Sequence, residues 1–334
     1  MARTFEELFP SEEACHQHLF RLRWPEGFRC PRCRGDACWQ VSRDLYRCQK
    51  CDHQASVTSG TIFHGSRRSL RVWFRAMWYV TNQKLGVSAL GLMKELDLGS
   101  YHTAWAWMQK LRTAMVRPGR DRLGGKVEVG VTYLGGRKPG KRGRGASGKT
   151  VVVVVVQDLG NRIGRIRLRR IRSASAENLA AVVREEVEPG AQIFTDGWRG
   201  FGGLPEMGYR HIVVPKGGGP GETALPMVNR VVELIYRWLQ RSHQVAVRPS
   251  YMDYYLDEFT FRFNRRSWRS REWLFFALIQ QAAAVAPLPV RVMRSRKHPV
   301  ASTIESSGPP RPPLLRTKAH PDGGKTDGAG EAPA

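Results

Sequence analysis

The cysteines are the residues whose spacing indicates chemistry most directly. Five of the six lie within the segment FRCPRCRGDACWQVSRDLYRCQKCDHQ. Cys30 and Cys33, and again Cys48 and Cys51, are separated by two residues, a spacing that presents two thiolates to one ion from a tight turn. The 14 residues between the two pairs suit a short hairpin that folds back. We therefore predict a structural zinc ion, Zn2+, held by four thiolates.

The segment around these cysteines, residues 25–60, is predicted to be a zinc ribbon that follows an N-terminal segment of residues 1–24. A ribbon of this size is too small to fold by burial alone, so zinc binding would supply much of its folding free energy. Cys15 and Cys38 remain, and we expect both to be packed side chains. Cys38 and His53 are the alternative ligands if one of the four thiolates is not used.

The basic charge of the chain indicates the kind of partner. Lys and Arg number 54 against 29 Asp and Glu, which gives a formal net charge of +25. Such an excess is typical of proteins that bind nucleic acid, the alternative being a merely basic surface. The longest apolar run, Val151 to Val156, is strand-sized, so we expect a soluble protein without a membrane partner. The start of the chain lacks the layout of a secretory signal, and we expect a cytoplasmic, nucleoid-associated bacterial protein.

Residues 66–117 are predicted to form three helices, because apolar residues recur there at helical spacing and the pattern is broken at Gly86 and Gly99. This order matches a helix-turn-helix, and the last helix, about Tyr101 to Met115, would enter the DNA major groove. A plain three-helix bundle is the alternative. The predicted base contacts are Tyr101, His102, Gln109 and Lys110. The tryptophans are expected in the core, namely Trp73, Trp78, Trp105 and Trp107.

Residues 124–285 are predicted to form an α/β domain. KVEVGVTYLGG and KTVVVVVVQDL read as two strands joined by a loop with six basic residues and no acidic one. A third strand, GRIRLRRIR, would carry a basic outer face. A helix, two short strands and a long helix follow, which is the order of a ribonuclease-H-like mixed sheet flanked by helices. Residues 295–334 are rich in Pro, Gly, Ser and charge and are expected to be disordered.

Phosphate contacts are predicted on the basic loop and on two other elements, because basic side chains there can position DNA without reading its sequence. The predicted residues are Lys138, Lys141, Arg142 and Arg144 of the loop, Arg165 and Arg167 of the third strand, and Arg262 and Arg265 of EFTFRFNRR. Arg262 and Arg265 share a helix face with Glu258. A structural ion-pair cluster is the alternative for these three residues.

The chain from Cys30 to about Ala284 resembles the insertion-sequence transposases of the ISXO-like group, which combine a zinc ribbon with a DDE domain. The words that carry the resemblance are CPRC, CQKC, SGTIFHGSR, TYLGG, TDGWRGF and EFTFRFNRR. The resemblance implies cleavage and joining of double-stranded DNA at element ends by two divalent ions, Mg2+ or Mn2+, held between carboxylates. It also implies a homo-oligomer that brings two ends together.

The same resemblance indicates which residues would do this chemistry. Asp196 matches the second carboxylate, Asn229 the third position on the long helix, and Glu258 the acidic residue of the last motif. Two positions depart from the pattern, since Gly130 stands where the first aspartate is expected and Tyr236 where a lysine is expected. The substitute acids that could restore activity are Glu128, Asp158 and Glu233.

These departures predict a protein of transposase lineage with impaired catalysis, which binds element-end DNA through the helical region, the ribbon and the basic strand. The first alternative is an active transposase that uses a shifted ligand such as Glu128. The second is a DNA-binding repressor or a subunit that assembles with active copies, and the third is a decayed copy without a role.

Overall fold

The computed structural model describes residues 3–117, 119–135, 149–215, 224–243 and 247–294. The predicted disordered tail and the predicted basic loop, with Lys138, Lys141, Arg142 and Arg144, lie outside these ranges. Among the described residues, no helix combines the length and the apolar character needed to cross a bilayer.

The N-terminal part consists of two helices followed by a small antiparallel sheet. The helices are α1 (Phe5–Leu8) and α2 (Glu12–Arg23), and the strands are β1 (Cys38–Ser42), β2 (Leu45–Cys48) and β3 (Gln54–Ser56). The strand order is β1-β2-β3. The register that pairs Cys38 with Cys48 confirms the predicted hairpin, which brings the second cysteine pair back beside the first.

Three helices follow with boundaries close to those predicted: α3 (Leu70–Asn82), α4 (Ala89–Glu95) and α5 (Tyr101–Ala114). Serine caps fix where the first two begin, since the side chains of Ser69 and Ser88 each accept a hydrogen bond from a backbone N–H three residues on. The Trp73 and Trp107 rings stack with centroids 3.7 Å apart and join α3 to α5. These two tryptophans are buried, as predicted.

Helix α5 is enclosed by other helices along most of its length, which limits the surface that a recognition helix could present to the major groove to its N-terminal turn. It packs against α3 and α4, and also against α8 (Met252–Phe263), α9 (Arg271–Ala284) and α10 (Val290–Arg294). Gln109, a predicted base contact, is fully buried. The exposed part of α5 is its first turn, which begins with Tyr101 and His102.

The core of this N-terminal part includes a helix from near the end of the described chain. Phe275, Leu278 and Ile279 of α9 are buried together with residues of α2, α3 and the ribbon, including Cys30 and Cys48. Hydrophobic burial therefore joins the ribbon, the three-helix region and α9 into one core.

The α/β part is a mixed sheet of five strands in the order β6-β5-β4-β7-β8. The strands are β4 (Lys126–Leu134), β5 (Thr150–Asp158), β6 (Ile163–Ile171), β7 (Gln192–Thr195) and β8 (Arg210–Val213). Strand β4 is antiparallel to β5 and parallel to β7. Helix α6 (Ala176–Glu186) covers one face, and α7 (Pro226–His243) with α8 covers the other. The order and pairing confirm the predicted ribonuclease-H-like architecture.

The predicted basic outer face of the third strand is instead covered by α6. Arg167 is 4% exposed, and its Nε lies 3.1 Å from a carboxylate oxygen of Glu186 on that helix. Arg169 pairs with both Glu185 and Glu186. This burial and the Glu186 contact argue against the predicted DNA contact of Arg167, because a buried guanidinium held by a carboxylate is not available to a phosphate. Arg165 remains partly exposed at the end of this face, with a side chain 42% exposed.

Candidate functional site

The four predicted zinc ligands converge at one point in the ribbon. Their Sγ atoms lie within 4.8 Å of one another. The Sγ atoms are 3.7 Å apart for Cys30 and Cys51 and 3.5 Å apart for Cys33 and Cys48. Sulfur atoms arranged tetrahedrally about 2.3 Å from a zinc ion are about 3.8 Å apart, so the geometry fits zinc. Cys38 and His53 are not part of the cluster, and Cys15 is buried in the apolar core as predicted.

The ionisation of these thiols indicates why the cluster needs a cation. A backbone hydrogen bond at Gly35 lowers the pKa of Cys33 to about 7. A backbone hydrogen bond at His53 acts in the same direction on Cys51, but bonds to its neighbouring thiols and burial outweigh it and raise the pKa of Cys51 to about 12. Four adjacent thiolates repel one another without a metal ion, and zinc removes this conflict by binding all of them.

The position of the expected first carboxylate lies next to Asp196. Strands β4 and β7 are parallel, with Glu128 paired with Phe194. This register, continued by two residues, brings Gly130 level with Asp196 directly after β7. Side chains two residues apart on a strand share a face, so position 130 and Asp196 face the same side as Glu128. That side is covered by α7, which carries Asn229.

Asp196 is held at the end of β7 by a tight turn. Gly197 follows with a φ of +74°, a left-handed conformation that glycine adopts without strain. The Asp196 Oδ1 accepts a hydrogen bond of 3.3 Å from the backbone N–H of Trp198. Beside it, the Thr195 hydroxyl lies 2.8 Å from Nε2 of His211 on β8. Asp196 is thus a half-buried carboxylate at a sheet edge, as predicted.

The space beside Gly130 is filled by apolar side chains of the chain just before and within α7. A Cβ atom at position 130 would lie 2.9 Å from Cγ1 of Val228 and 3.2 Å from Cδ1 of Leu225. Both side chains are buried, at 4% and 5% exposure. Position 130 therefore offers no ligand and no room for one.

Glu128, one of the three possible substitute acids, is already engaged inside the protein. It is 7% exposed, and its Oε2 accepts a hydrogen bond of 2.9 Å from the backbone N–H of Val228. Burial raises the pKa of Glu128, although the backbone N–H groups of α7 oppose this effect. The carboxylate caps the start of α7.

The other substitute acids lie elsewhere. Asp158 lies opposite Lys126 in the β4–β5 register. Lys126 is four residues from Gly130 along β4, so Asp158 is displaced from Gly130 by about 13 Å along the strand. Glu233 is exposed on α7 and pairs with Arg230 at 3.2 Å. Asn229, the third predicted catalytic position, is also exposed on α7.

The described residues do not fit a two-metal centre. Within these ranges, the four cysteines form the one group of three or more His, Cys, Asp or Glu side chains close enough to share an ion. Mg2+ and Mn2+ are bound through oxygen ligands, and a two-metal reaction needs carboxylates on both ions. Gly130 supplies no carboxylate, and the Glu128 carboxylate is used to cap α7.

Glu258 occupies a buried ion-pair cluster. Its side chain is 0% exposed and accepts hydrogen bonds from Arg112 of α5 at 2.9 Å and from Arg262 at 3.0 Å. Arg262 also donates to the backbone oxygens of Val80 and Gln83 near the end of α3. The ion pair expected under the structural alternative is therefore present between Glu258 and Arg262. The Arg262 guanidinium is used inside the fold, which argues against its predicted phosphate contact.

The remaining residues of the EFTFRFNRR motif cover the edge of the sheet. The Asn264 side chain accepts a hydrogen bond from the Ile166 N–H at 2.7 Å and donates one to the Ile166 oxygen at 3.1 Å. Arg266 donates to the backbone oxygens of Ile163 and Gly164. Both residues thereby complete the outer hydrogen bonds of edge strand β6. Sequence reasoning missed this role, since nothing in the motif shows which strand lies beside it.

Arg265 is largely enclosed and packs against aromatic rings. Its Cζ lies 4.1 Å from the Phe261 ring centroid and 5.4 Å from that of Trp268. Burial lowers the pKa of Arg265 to about 10.

A more accessible set of basic side chains lies on α7, where one face exposes Arg230, Arg237 and Arg241. Their spacing of seven and four residues keeps them on one side of the helix.

Comparison with known proteins identifies two domain families that match this chain. The ISXO2-like transposase domain family matches residues 122–264, and the transposase zinc-ribbon domain family matches residues 10–54. The observed mixed sheet and four-cysteine cluster agree with an ISXO2-like transposase domain preceded by a transposase zinc ribbon. With these two matched domains in one chain, the protein is similar to the insertion-sequence transposases.

One sequence relative and one solved chain are also similar to this chain. An uncharacterized protein in transposable element ISH50 of Halobacterium salinarum is 27% identical over 216 residues, which cover 59% of this chain and 71% of the relative. A solved chain of the simian T-cell lymphotropic virus intasome in complex with PP2A regulatory subunit B56 gamma is 14% identical. That match covers 70% of this chain and 78% of the other with a TM-score of 0.30.

Proposed function

We propose that this transposase homologue binds double-stranded DNA at the ends of an insertion sequence and does not cleave it by a two-metal reaction. One observation carries the proposal: position 130, level with Asp196, is a glycine whose side-chain space is occupied by Leu225 and Val228. A two-metal centre tolerates little displacement of its ligands. Asp196 and Asn229 are then remnants of the lineage's catalytic set, without a first carboxylate to complete them.

We assign DNA binding to the part of the chain after the ribbon, because the charge is concentrated there. Residues 1–60 contain nine Lys and Arg against eight Asp and Glu, whereas residues 61–149 contain 18 against four. The proposed phosphate contacts include the loop residues Lys138, Lys141, Arg142 and Arg144, together with Arg165. To these we add the exposed arginines of α7, namely Arg230, Arg237 and Arg241.

A protein that occupies element ends without cutting them acts as a repressor or assembles with active copies. Both roles require only DNA binding. Assembly with active copies would use the same contacts between copies that form the homo-oligomer expected of the lineage. Action on the nucleoid in the bacterial cytoplasm is part of the same proposal.

The binding half of the proposal is tested by gel retardation of element-end DNA at several salt concentrations. Each phosphate contact contributes about 0.9 to the slope of log affinity against log salt. The triple variant Arg230→Ala, Arg237→Ala, Arg241→Ala is expected to lower both the affinity and the slope. Arg43→Ala, an exposed arginine of the ribbon, is the matched control and is expected to change neither. Equal effects of the two variants would refute the assignment to α7.

A further inference from the structure

The two departures from the family pattern lie in one interface between β4 and α7. We infer that Gly130 and Tyr236 belong to a repacked β4–α7 joint, in which the first-carboxylate position has become a packing contact. The joint is defined by Glu128, Gly130 and Tyr133 of β4 and by Val228 and Tyr236 of α7. This inference rests on the proposed function, since it explains how the metal centre was replaced, but it is tested by stability and metal binding and not by DNA cleavage.

The first element of the joint is the close approach of α7 to Gly130. This residue lies inside a regular strand, so its backbone does not require a glycine. A Cβ atom would approach Cγ1 of Val228 to 2.9 Å, closer than real contacts of this kind. Valine has few rotamers, and Val228 is 4% exposed, so it cannot turn aside into solvent. Glycine is needed here because another element packs directly on the strand.

The second element is the cap that Glu128 provides to α7. Val228 is the third residue of the helix, and its N–H is one of those that have no partner within the helix itself. The Glu128 carboxylate accepts that hydrogen at 2.9 Å. A negative charge at this end of a helix also interacts favourably with the helix dipole. The backbone hydrogen bond and the Gly130 contact therefore hold the same residue, Val228, against the strand.

The third element is Tyr236, two helical turns further along α7. Its hydroxyl donates a hydrogen bond to the backbone oxygen of Tyr133 on β4. Tyr133 lies five residues after Glu128, so α7 is attached to β4 at two separate points. A lysine at position 236 would lose this phenolic contact, and an aspartate at position 130 would push Val228 away. Gly130→Asp and Tyr236→Lys would therefore both weaken the packing of α7 on β4.

The steric part of the joint is tested by unfolding the full-length protein with Gly130→Ala, Val228→Ala and the double variant. Gly130→Ala is expected to lower Tm by several degrees, and the double variant to lose clearly less than the sum of the two single changes, because the smaller residue at 228 makes room for the new Cβ. Gly203→Ala is the control, since a Cβ there meets nothing within 4 Å. A Gly130→Ala protein as stable as the Gly203→Ala protein, or strictly additive losses, would overturn the inference.

A second readout follows Mn2+ binding by isothermal titration. Gly130→Asp, alone or with Tyr236→Lys, is expected to lower Tm and to bind no more Mn2+ than the parent. If Gly130→Asp keeps the parent Tm and gains Mn2+ binding that disappears with Asp196→Ala, the joint as described is refuted. Cleavage by the parent protein would refute the proposed function without affecting the unfolding results. The two ideas can therefore fail separately.

Discussion

Replacement of Glu258 by glutamine tests whether this residue is structural. The carboxylate is fully buried and binds Arg112, which is 3% exposed, and Arg262, which is 13% exposed. Burial lowers the pKa of Arg112, but Glu258 and Tyr255 together, through charge and hydrogen bonds, outweigh this effect and raise that pKa above its ordinary value. Glu258→Gln keeps the shape and removes the charge, so Arg112 would be a buried cation without its carboxylate. Breaking a buried pair in this way costs about 3–5 kcal/mol.

The assay is urea unfolding followed by tryptophan fluorescence, with Glu233→Gln as the matched control. Glu233 also pairs with an arginine on a helix, but its side chain is 62% exposed, and exposed pairs contribute about 0–1 kcal/mol. We expect Glu258→Gln to lose several times more stability than Glu233→Gln. Equal losses would refute the ion-pair argument and favour a functional role for Glu258.

Three further predictions concern other parts of the fold. Cys48→Ser is expected to abolish zinc binding and unfold the ribbon, whereas Cys38→Ser keeps the metal; a colorimetric chelator assay separates the two, and zinc retained by Cys48→Ser would contradict the site. Burial raises the pKa of Glu186, but Arg120, Arg169 and Arg167 outweigh it and hold that pKa below its ordinary value. The stability that Glu186 contributes is therefore present above about pH 4.3 and is lost as pH falls through the lowered pKa. The free energy of unfolding is accordingly expected to fall less with decreasing pH in Glu186→Gln than in the parent protein. Asn264→Ala removes both partners of Ile166 at the sheet edge and is expected to cost about 1–3 kcal/mol in urea unfolding, and an unchanged midpoint would refute this role.

The parts of the fold that depend on local signals could be predicted from the sequence. The zinc site follows from two short cysteine spacings. Helical spacing predicts the final helix of the three-helix region at about Tyr101 to Met115, and it is found at Tyr101–Ala114. The long helix of the α/β domain was expected at about Leu225 to Arg241 and is found at Pro226–His243. Strand β5 contains an unbroken run of six valines, Val151 to Val156, which is typical of a strand buried on both faces.

The features that depend on distant partners could not be predicted. Alternation in β6 shows that Arg165, Arg167 and Arg169 share a face, but not that α6 brings Glu185 and Glu186 over it. Helical periodicity in α5 likewise does not reveal that α8, α9 and α10 enclose it.

The candidate catalytic centre was predicted only in part. The residue types alone show that Gly130 lacks a carboxylate. That Val228 occupies the vacated space and that Glu128 caps α7 are contacts across about 100 positions of sequence, as the 100-residue separation of Glu128 and Val228 shows. No local pattern carries that information.

The most direct test of the central claim is cleavage and strand transfer on labelled element-end DNA with Mg2+ or Mn2+, using protein whose DNA binding has been verified by gel retardation. We expect the parent protein to retard the DNA and to produce no metal-dependent nick or joined product. Cleavage by the parent that requires the metal and disappears with Asp196→Ala would contradict the account and show that the centre is completed by a ligand other than residue 130.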